Sequence, residues 1–294
     1  MIPGFRYHIA TIAAIFLALG VGIIIGSSFV QSAIVDRQTK RLEELKGQFN
    51  NEILALRDSN GRYSEFLSAL SGNLLSARLT GKKIAMVQTG DYPDAMRRIR
   101  TTLEQAGAVV TSVTVIERDY PVRSQTNLNS LITRLKESHA TLTNDKESLL
   151  RVIALNISHG GTDPDLTVFT DENLITCEGS YTAPSDYVVL VGGATNDNMS
   201  RADTIDSPLI DQLKIIGATV VEAEPALADI SYIPSLTDKD ISTVDNADTD
   251  IGGISLVLSL TSERGNYGIK RTAQSGLLPS FTVKNDNRHR PGIQ

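Results

Sequence analysis

The chain has 294 residues, a net charge of −6 at pH 7 and a single cysteine, Cys177. An acidic chain without a basic stripe lacks the positive surface that binds phosphates, which argues against nucleic acid as a partner. One cysteine excludes an intramolecular disulfide. The length allows one large or two small domains beyond an N-terminal segment.

An uncharged apolar run occupies residues 9–30, after a short N-terminal tail at 1–8. As an α-helix it would span about 33 Å, enough to cross a hydrocarbon core of roughly 30 Å. The run is longer than the apolar core of a signal peptide, and no good cleavage site follows before Asp36. We therefore predict an uncleaved, single-pass transmembrane helix.

Small residues recur every fourth position within this run. A ridge of this kind lets two helix backbones approach closely in lipid, which favours self-association. The alternative is that Ala and Gly are simply frequent in transmembrane helices. The predicted helix-association residues are Ala14, Ala18, Gly22 and Gly26, with Ala10 extending the ridge.

Residues 35–80 carry a helical pattern with apolar residues at intervals of seven. The series is Leu42, Phe49, Leu56, Tyr63 and Leu70. The apolar stripe is wider and less regular than a strict two-position seam. The pattern predicts a coiled-coil stalk, and an amphipathic helix docked on its own domain is the alternative. Ridge and heptads together predict a homodimer or higher homo-oligomer.

Residues 82–280 predict an α/β domain of Rossmann-like type with a mostly parallel sheet. Strand, helix, glycine and strand follow one another at 84–116, with Pro93 at the helix start and Gly107 at its end. The same order returns at 187–221, where Ser207 opens the helix and Gly217 ends it. Repeated units of this kind favour parallel strands with helices on both faces.

Three further segments complete the sequence-based assignment. Residues 127–157 predict one or two helices. Residues 158–185 are rich in Gly, Asp, Thr and Pro, and predict a long irregular excursion near the carboxyl ends of the strands. The polar tail at 281–294 is expected to be disordered.

No catalytic or cofactor motif is present in the sequence. Gly192-Gly193 follows a strand but lacks a phosphate-binding pattern, so a tight turn is the simpler interpretation. The four histidines lack the spacing of metal ligands, and the acidic segment 238–250 lacks EF-hand spacing. We therefore expect no enzyme and no evident cofactor, and a metal site stays unassigned.

Two segments resemble the MctB-like family, which is named for mycobacterial copper transport. The first is Phe5-Arg6-Tyr7-His8 followed by the apolar run. The second is a C-terminal signature with the order STVDN-x-D, G-x-YG-x-K and LLP. Its residues are Ser242, Thr243, Val244, Asp245, Asn246, Asp248, Gly265, Tyr267, Gly268, Lys270, Leu277, Leu278 and Pro279.

This resemblance implies a bacterial membrane-anchored envelope protein with a role in copper transport or homeostasis. It places the globular domain outside the cytoplasm, whereas the positive charges at Arg37, Lys40 and Arg41 weakly favour the opposite orientation. It also implies an envelope or division protein as a possible partner. Copper enters only through the resemblance, because the chain has no cluster of Cys and Met, the ligands that Cu(I) prefers.

The signature permits two interpretations. In the structural one, Ser242–Asn246 is a strand and turn, and Asp248 or Asp250 caps a following helix. In the functional one, Asp245, Asn246, Tyr267 and Lys270 line a polar ligand or partner site beside Gly192-Gly193. The alternative function, a non-catalytic oligomeric scaffold linking the membrane to envelope or division machinery, also fits the predicted organisation.

Overall fold

The computed structural model describes residues 4–118, 120, 124–160 and 163–280. The tail expected to be disordered, 281–294, lies outside the described residues, as do residues 1–3. The chain divides into two compact units, Met1–Glu65 and Phe66–Gln294.

The first unit is helical: α1 begins at Gly4 and continues as one helix to Leu75. Its stretch Gly4–Gly26 has a mean hydropathy of 2.6 and no buried part. Among the described residues it is the one segment long and apolar enough to cross a membrane. Leu42, Phe49 and Leu56 of the heptad series are exposed in the single chain. The helical conformation predicted for the apolar run is confirmed, and the coiled coil stays a prediction.

The second unit contains a seven-stranded sheet in the order β3-β2-β1-β4-β5-β6-β7. All neighbouring strands are parallel except β2 and β3. The predicted mostly parallel α/β domain is therefore confirmed. The strands are β1 (Lys83–Gln88), β2 (Val109–Ile116), β3 (Ile175–Gly179), β4 (Tyr187–Val191), β5 (Val220–Ala223), β6 (Ser242–Val244) and β7 (Asn266–Tyr267).

Helices cover both faces of the sheet because strand side chains alternate between two apolar cores. Along β4, Val188 and Leu190 belong to one core, and Val189 and Val191 belong to the other. The first core contains residues of α3 (Gln125–Leu135), α4 (Lys146–His159), α5 (Asp163–Asp171) and α6 (Ser207–Ile215). The second contains residues of α2 (Pro93–Gln105) and α7 (Asp250–Ser259), with Leu75 and Leu79.

Proline and glycine residues in the sequence predicted several helix boundaries correctly. Pro93 occupies the first turn of α2, and Gly107 follows its end at φ +90°. The irregular excursion expected at 158–185 is wrong, because this segment contains α5 and β3. Strand β3 pairs antiparallel with β2 at the sheet edge, and its half-exposed, polar composition obscured it. It ends at Gly179, whose φ of +91° favours glycine.

Candidate functional site

The carboxyl ends of β1, β4, β5, β6 and β7 meet at one edge of the sheet. The chain runs outward in one direction from β1 and in the other from β4, so the topological switch point lies between these two strands. In open α/β sheets this crevice is the usual ligand site. The loops after β1 and β4 therefore decide whether a ligand can enter.

These two loops close the crevice by packing on each other. The backbone N–H groups of Thr89 and Gly90 both donate to the carbonyl oxygen of Val191, at 3.1 and 3.0 Å. The N–H of Asp91 donates to the carbonyl oxygen of Gly193 at 3.0 Å. A Cβ at Gly90 would lie 2.5 Å from the carbonyl group of Gly192. The Gly192-Gly193 pair therefore serves this close approach of two backbones.

Arg201 also binds backbone at the carboxyl edge of the sheet. Its guanidinium donates to the carbonyl oxygens of Ile116 and Glu117, both at 2.9 Å, and to that of Thr89. One cation thus satisfies the carbonyl groups that end β1 and β2. The arrangement is a cap on two strands, and its N–H donors are directed at the protein's own backbone.

Two carboxyl groups, Asp206 and Glu222, are completely buried behind the closed crevice. The hydroxyl of Thr89 donates to Oδ2 of Asp206 at 2.8 Å. Within the described part of the chain, Oδ1 of Asp206 and both carboxyl oxygens of Glu222 receive no hydrogen bond. Burial raises the pKa of both groups, and the nearby carboxylates of Asp206 and Glu224 raise that of Glu222 further.

The signature residue Asp245 organises the loop after β7. Its two carboxylate oxygens accept the backbone N–H groups of Ile269 at 2.7 Å and Lys270 at 2.9 Å. Gly268 adopts φ +135°, and a Cβ there would lie 2.0 Å from Oδ1 of Asp245. The Asp and the Gly of the signature are therefore complementary, because only glycine permits this approach.

Lys270 turns back from this loop to a second buried carboxylate. Its Nζ donates to Oε1 of Glu224 at 2.7 Å and to the carbonyl oxygen of Pro225 at 3.0 Å. Glu224 also accepts the hydroxyl of Ser231 at 2.6 Å and the N–H of Tyr232 at 3.0 Å. Lys270 and Asp245 thus connect the loop after β7 to those after β5 and β6.

Asn246, Asp248 and Thr249 build the start of α7. Thr249 is the N-cap and accepts the N–H of Gly252 at 3.1 Å, so the expected cap at Asp248 or Asp250 is wrong. Asn246 is buried against Gly252. A Cβ at Gly252 would lie 1.8 Å from the carbonyl oxygen of Asn246. Asp248 instead accepts the N–H of Ala226 at 2.7 Å.

Ser242, Thr243 and Tyr267 of the signature lie on the last two strands of the sheet. Ser242 and Thr243 are buried on β6, and the Thr243 hydroxyl donates to Oδ1 of Asn266 at 3.0 Å. The hydroxyl of Tyr267 donates to the carbonyl oxygen of Glu263, away from Lys270, and burial raises its pKa. The structure brings Asp245 and Lys270 together, but Tyr267 bonds elsewhere.

The loop after β5 separates the signature residues from Gly192-Gly193. Gly193 faces Pro225 and Ala228 of this loop, at 3.6 and 3.1 Å from an added Cβ, while Lys270 contacts the carbonyl oxygen of Pro225. The described contacts therefore favour bracing of loops. A ligand or partner role for these residues stays a prediction.

The soft ligands for copper are scattered in the described residues. Met86 and Met96 are buried in the core, and Cys177 is half-buried on β3, where burial raises the pKa of its thiol. Met199 lies beside the Arg118 guanidinium. No group of three or more His, Cys, Asp or Glu side chains suited to a metal ion occurs in the described ranges.

Sequence reasoning missed Asp206, Glu222 and Glu224. The available signal was an acidic residue inside an apolar strand, since Glu222 interrupts the sequence Val-Val-Glu-Ala of β5. Asp206 carried no signal, because a π-helical turn at Ala202–Asp206 sets its direction. Such turns are rare and depend on tertiary context.

The fold and the carboxyl edge of the sheet together define a class of protein. It has a long helix with one possible membrane span, followed along the chain by a doubly wound α/β domain with a closed switch point. The chain belongs to the MctB family, described as copper transport outer membrane protein, which matches residues 1–278. Relatives named copper transporter MctB, from Mycobacterium bovis and Mycobacterium tuberculosis, are 22% identical over 305 residues. The alignment covers 92% of this chain and 97% of each relative.

Proposed function

We propose that this chain is a membrane-anchored envelope protein that acts in copper transport or homeostasis without catalysing a reaction. The observation that carries the proposal is the family match over residues 1–278, which includes both the apolar helix and the α/β domain. The similarity to relatives named copper transporter MctB extends over nearly their whole length.

The anchor supports the membrane part of the proposal. Gly4–Gly26 is long and apolar enough to cross a bilayer, with a mean hydropathy of 2.6. The globular domain would lie outside the cytoplasm, as expected of an envelope protein. Charge alone does not oppose this strongly, because long domains translocate largely regardless of flanking charge.

A single helix cannot enclose a pore, so transport requires several copies or a partner. The association face would begin with Gly22 and Gly26, where added Cβ atoms meet open space. It would continue through the exposed apolar side chains of Leu45 and Phe49. Burying these side chains against a second copy would remove apolar surface from water, which favours association.

The closed carboxyl edge supports a non-catalytic α/β domain. Its polar side chains bond to one another and to the backbone, as at Asp245 and Lys270.

A polar groove of about 530 Å³ lies between the end of α1, α2 and the start of α7, and charges of both signs line it. Its residues include Asp94, Arg97, Arg98 and Asp250.

Deletion of the gene followed by growth over graded copper concentrations tests the proposal. We expect altered copper tolerance that the full chain restores and a chain lacking residues 4–26 does not. Normal tolerance in the deletion strain would contradict the copper role. Restoration by the chain without the anchor would contradict the membrane role alone.

A scaffold linking the membrane to envelope or division machinery is the second candidate. The exposed apolar stripe of α1 favours it, since a long helix can bind a partner helix as readily as a second copy. An abnormal septum or envelope in the deletion strain, with unchanged copper tolerance, would support this function. A normal septum would count against it.

A further inference from the structure

The buried pair Asp206 and Glu222 takes no part in the function proposed above, and its geometry is unusual. A Cβ at Gly192 would lie 2.3 Å from Oε1 of Glu222 and 3.0 Å from Oδ2 of Asp206. Both carboxyl groups therefore lie beside the backbone of the same glycine and are buried away from water. Two ionised carboxylates in such contact repel each other strongly.

Among the residues that the structure describes, the charged groups around the pair do not neutralise it by direct bonds. From the end of β5, Glu224 adds a third carboxylate, and its cationic partner is Lys270. Arg201 attracts Asp206 from a distance, but its guanidinium donates to backbone carbonyl oxygens. The ring of Tyr232 packs on Gly192 beside the pair.

One proton resolves the conflict. Protonated Glu222 would donate to Asp206, because the two carboxyl groups lie on the same side of Gly192. This bond would give partners to oxygens that have none among the described residues. The Thr89 hydroxyl already donates to the other oxygen of Asp206, so the pair is connected to the closed contact between the β1 and β4 loops.

We propose that Asp206 and Glu222 share one proton in the folded domain at neutral pH, and that its loss loosens the contact between the loops after β1 and β4. The closed edge is then a pH-sensitive element. The π-helical turn contributes by directing Asp206 inward, since its side chain does not cap α6.

The sign of the pH effect follows from proton counting. Both carboxyl groups have a raised pKa in the folded state, so above about pH 4.5 the folded chain holds a proton that the unfolded chain has lost. The contribution of this pair to stability is therefore greatest below about pH 4.5 and is lost as the pH rises through the folded pKa values. One such proton changes the folding equilibrium by up to tenfold per pH unit.

The test uses the full chain in detergent micelles. The infrared carbonyl band of a protonated carboxyl group is recorded at pH 7, and unfolding by denaturant is measured from pH 5 to 8. The Glu222→Gln variant keeps a donor for Asp206 and cannot ionise, and Asp206→Asn is the reciprocal change. Glu178→Gln is the matched control, because Glu178 lies exposed on β3 with Arg100 as its partner.

We expect the protonated band in the native chain and in Glu178→Gln, and its absence in Glu222→Gln. As the pH rises, the equilibrium constant for folding of the native chain should fall more steeply than that of Glu222→Gln. The difference should be up to tenfold per pH unit. The hydrogen-exchange protection factors of the Thr89 and Gly90 amides should fall with rising pH in the native chain, and fall less in Glu222→Gln. Absence of the band from the native chain at pH 7 would overturn the proposal, even if both variants failed to fold. So would equal pH slopes in the native chain and Glu222→Gln.

Discussion

Replacing Lys270 by Met tests whether the signature braces the loops at the carboxyl edge. Met keeps much of the aliphatic length of lysine and removes the ammonium that donates to Glu224 and to the carbonyl oxygen of Pro225. Glu224 is fully buried, and the Lys270 side chain is 22% exposed. The substitution therefore leaves a buried carboxylate without its cation.

The expected destabilisation is smaller than that of a fully isolated charge. Removing one partner of a buried ion pair costs about 3–5 kcal/mol. Glu224 keeps the hydrogen bonds from Ser231 and Tyr232, and Lys270 is partly solvated, so we expect about 2–3 kcal/mol. For a domain of this size that corresponds to a fall in Tm of about 4–12 °C.

Denaturant unfolding of the full chain in detergent measures this loss. Lys270→Met combined with Glu224→Gln should recover at least ~1 kcal/mol relative to Lys270→Met, because no buried charge is then left unpaired. Lys82→Met is the control. The side chains of this pair with Asp186 are 44% and 38% exposed, so the loss should not exceed ~1 kcal/mol. A loss below ~0.5 kcal/mol for Lys270→Met would refute the bracing role.

Glycine and anchor variants supply the remaining predictions. Gly90→Ala should cost about 1–3 kcal/mol in unfolding experiments, because its Cβ would meet the Gly192 backbone. Gly47→Ala, in an open helical position, should instead stabilise by roughly 0.5–1 kcal/mol; equal effects would contradict the packing argument. Replacing Gly22 and Gly26 by Leu should weaken crosslinking of the full chain in membranes. Unchanged crosslinking, also after deletion of residues 37–65, would remove the predicted association through α1.

The sequence predicted the elements whose signals are local. Short apolar runs and the Pro and Gly at helix ends located β1, α2 and β4, because these signals act through neighbouring residues. The N-cap of α7 was misplaced because three adjacent residues, Asp248, Thr249 and Asp250, can all cap a helix. Only the fold directs Asp248 to the N–H of Ala226 and leaves Thr249 at the cap.

The candidate site was predicted less completely, because it depends on contacts between distant segments. Asp206 and Glu222 become neighbours only when the turn before α6 packs on β5, and periodicity does not report such a contact. The stalk expected at 35–80 likewise includes Leu75 and Leu79, which are buried in the second core. A heptad pattern shows apolar spacing, but it does not show which surface the stripe covers.

Cell-associated copper is the measurement that tests the central claim most directly. It would be determined in the deletion strain, in the strain restored with the full chain, and in the strain restored with the Gly22 and Gly26 to Leu variant. The proposed function predicts an altered copper content after deletion and a normal content with the full chain. Equal copper content in the native and deletion strains, at every copper concentration in the medium, would contradict it.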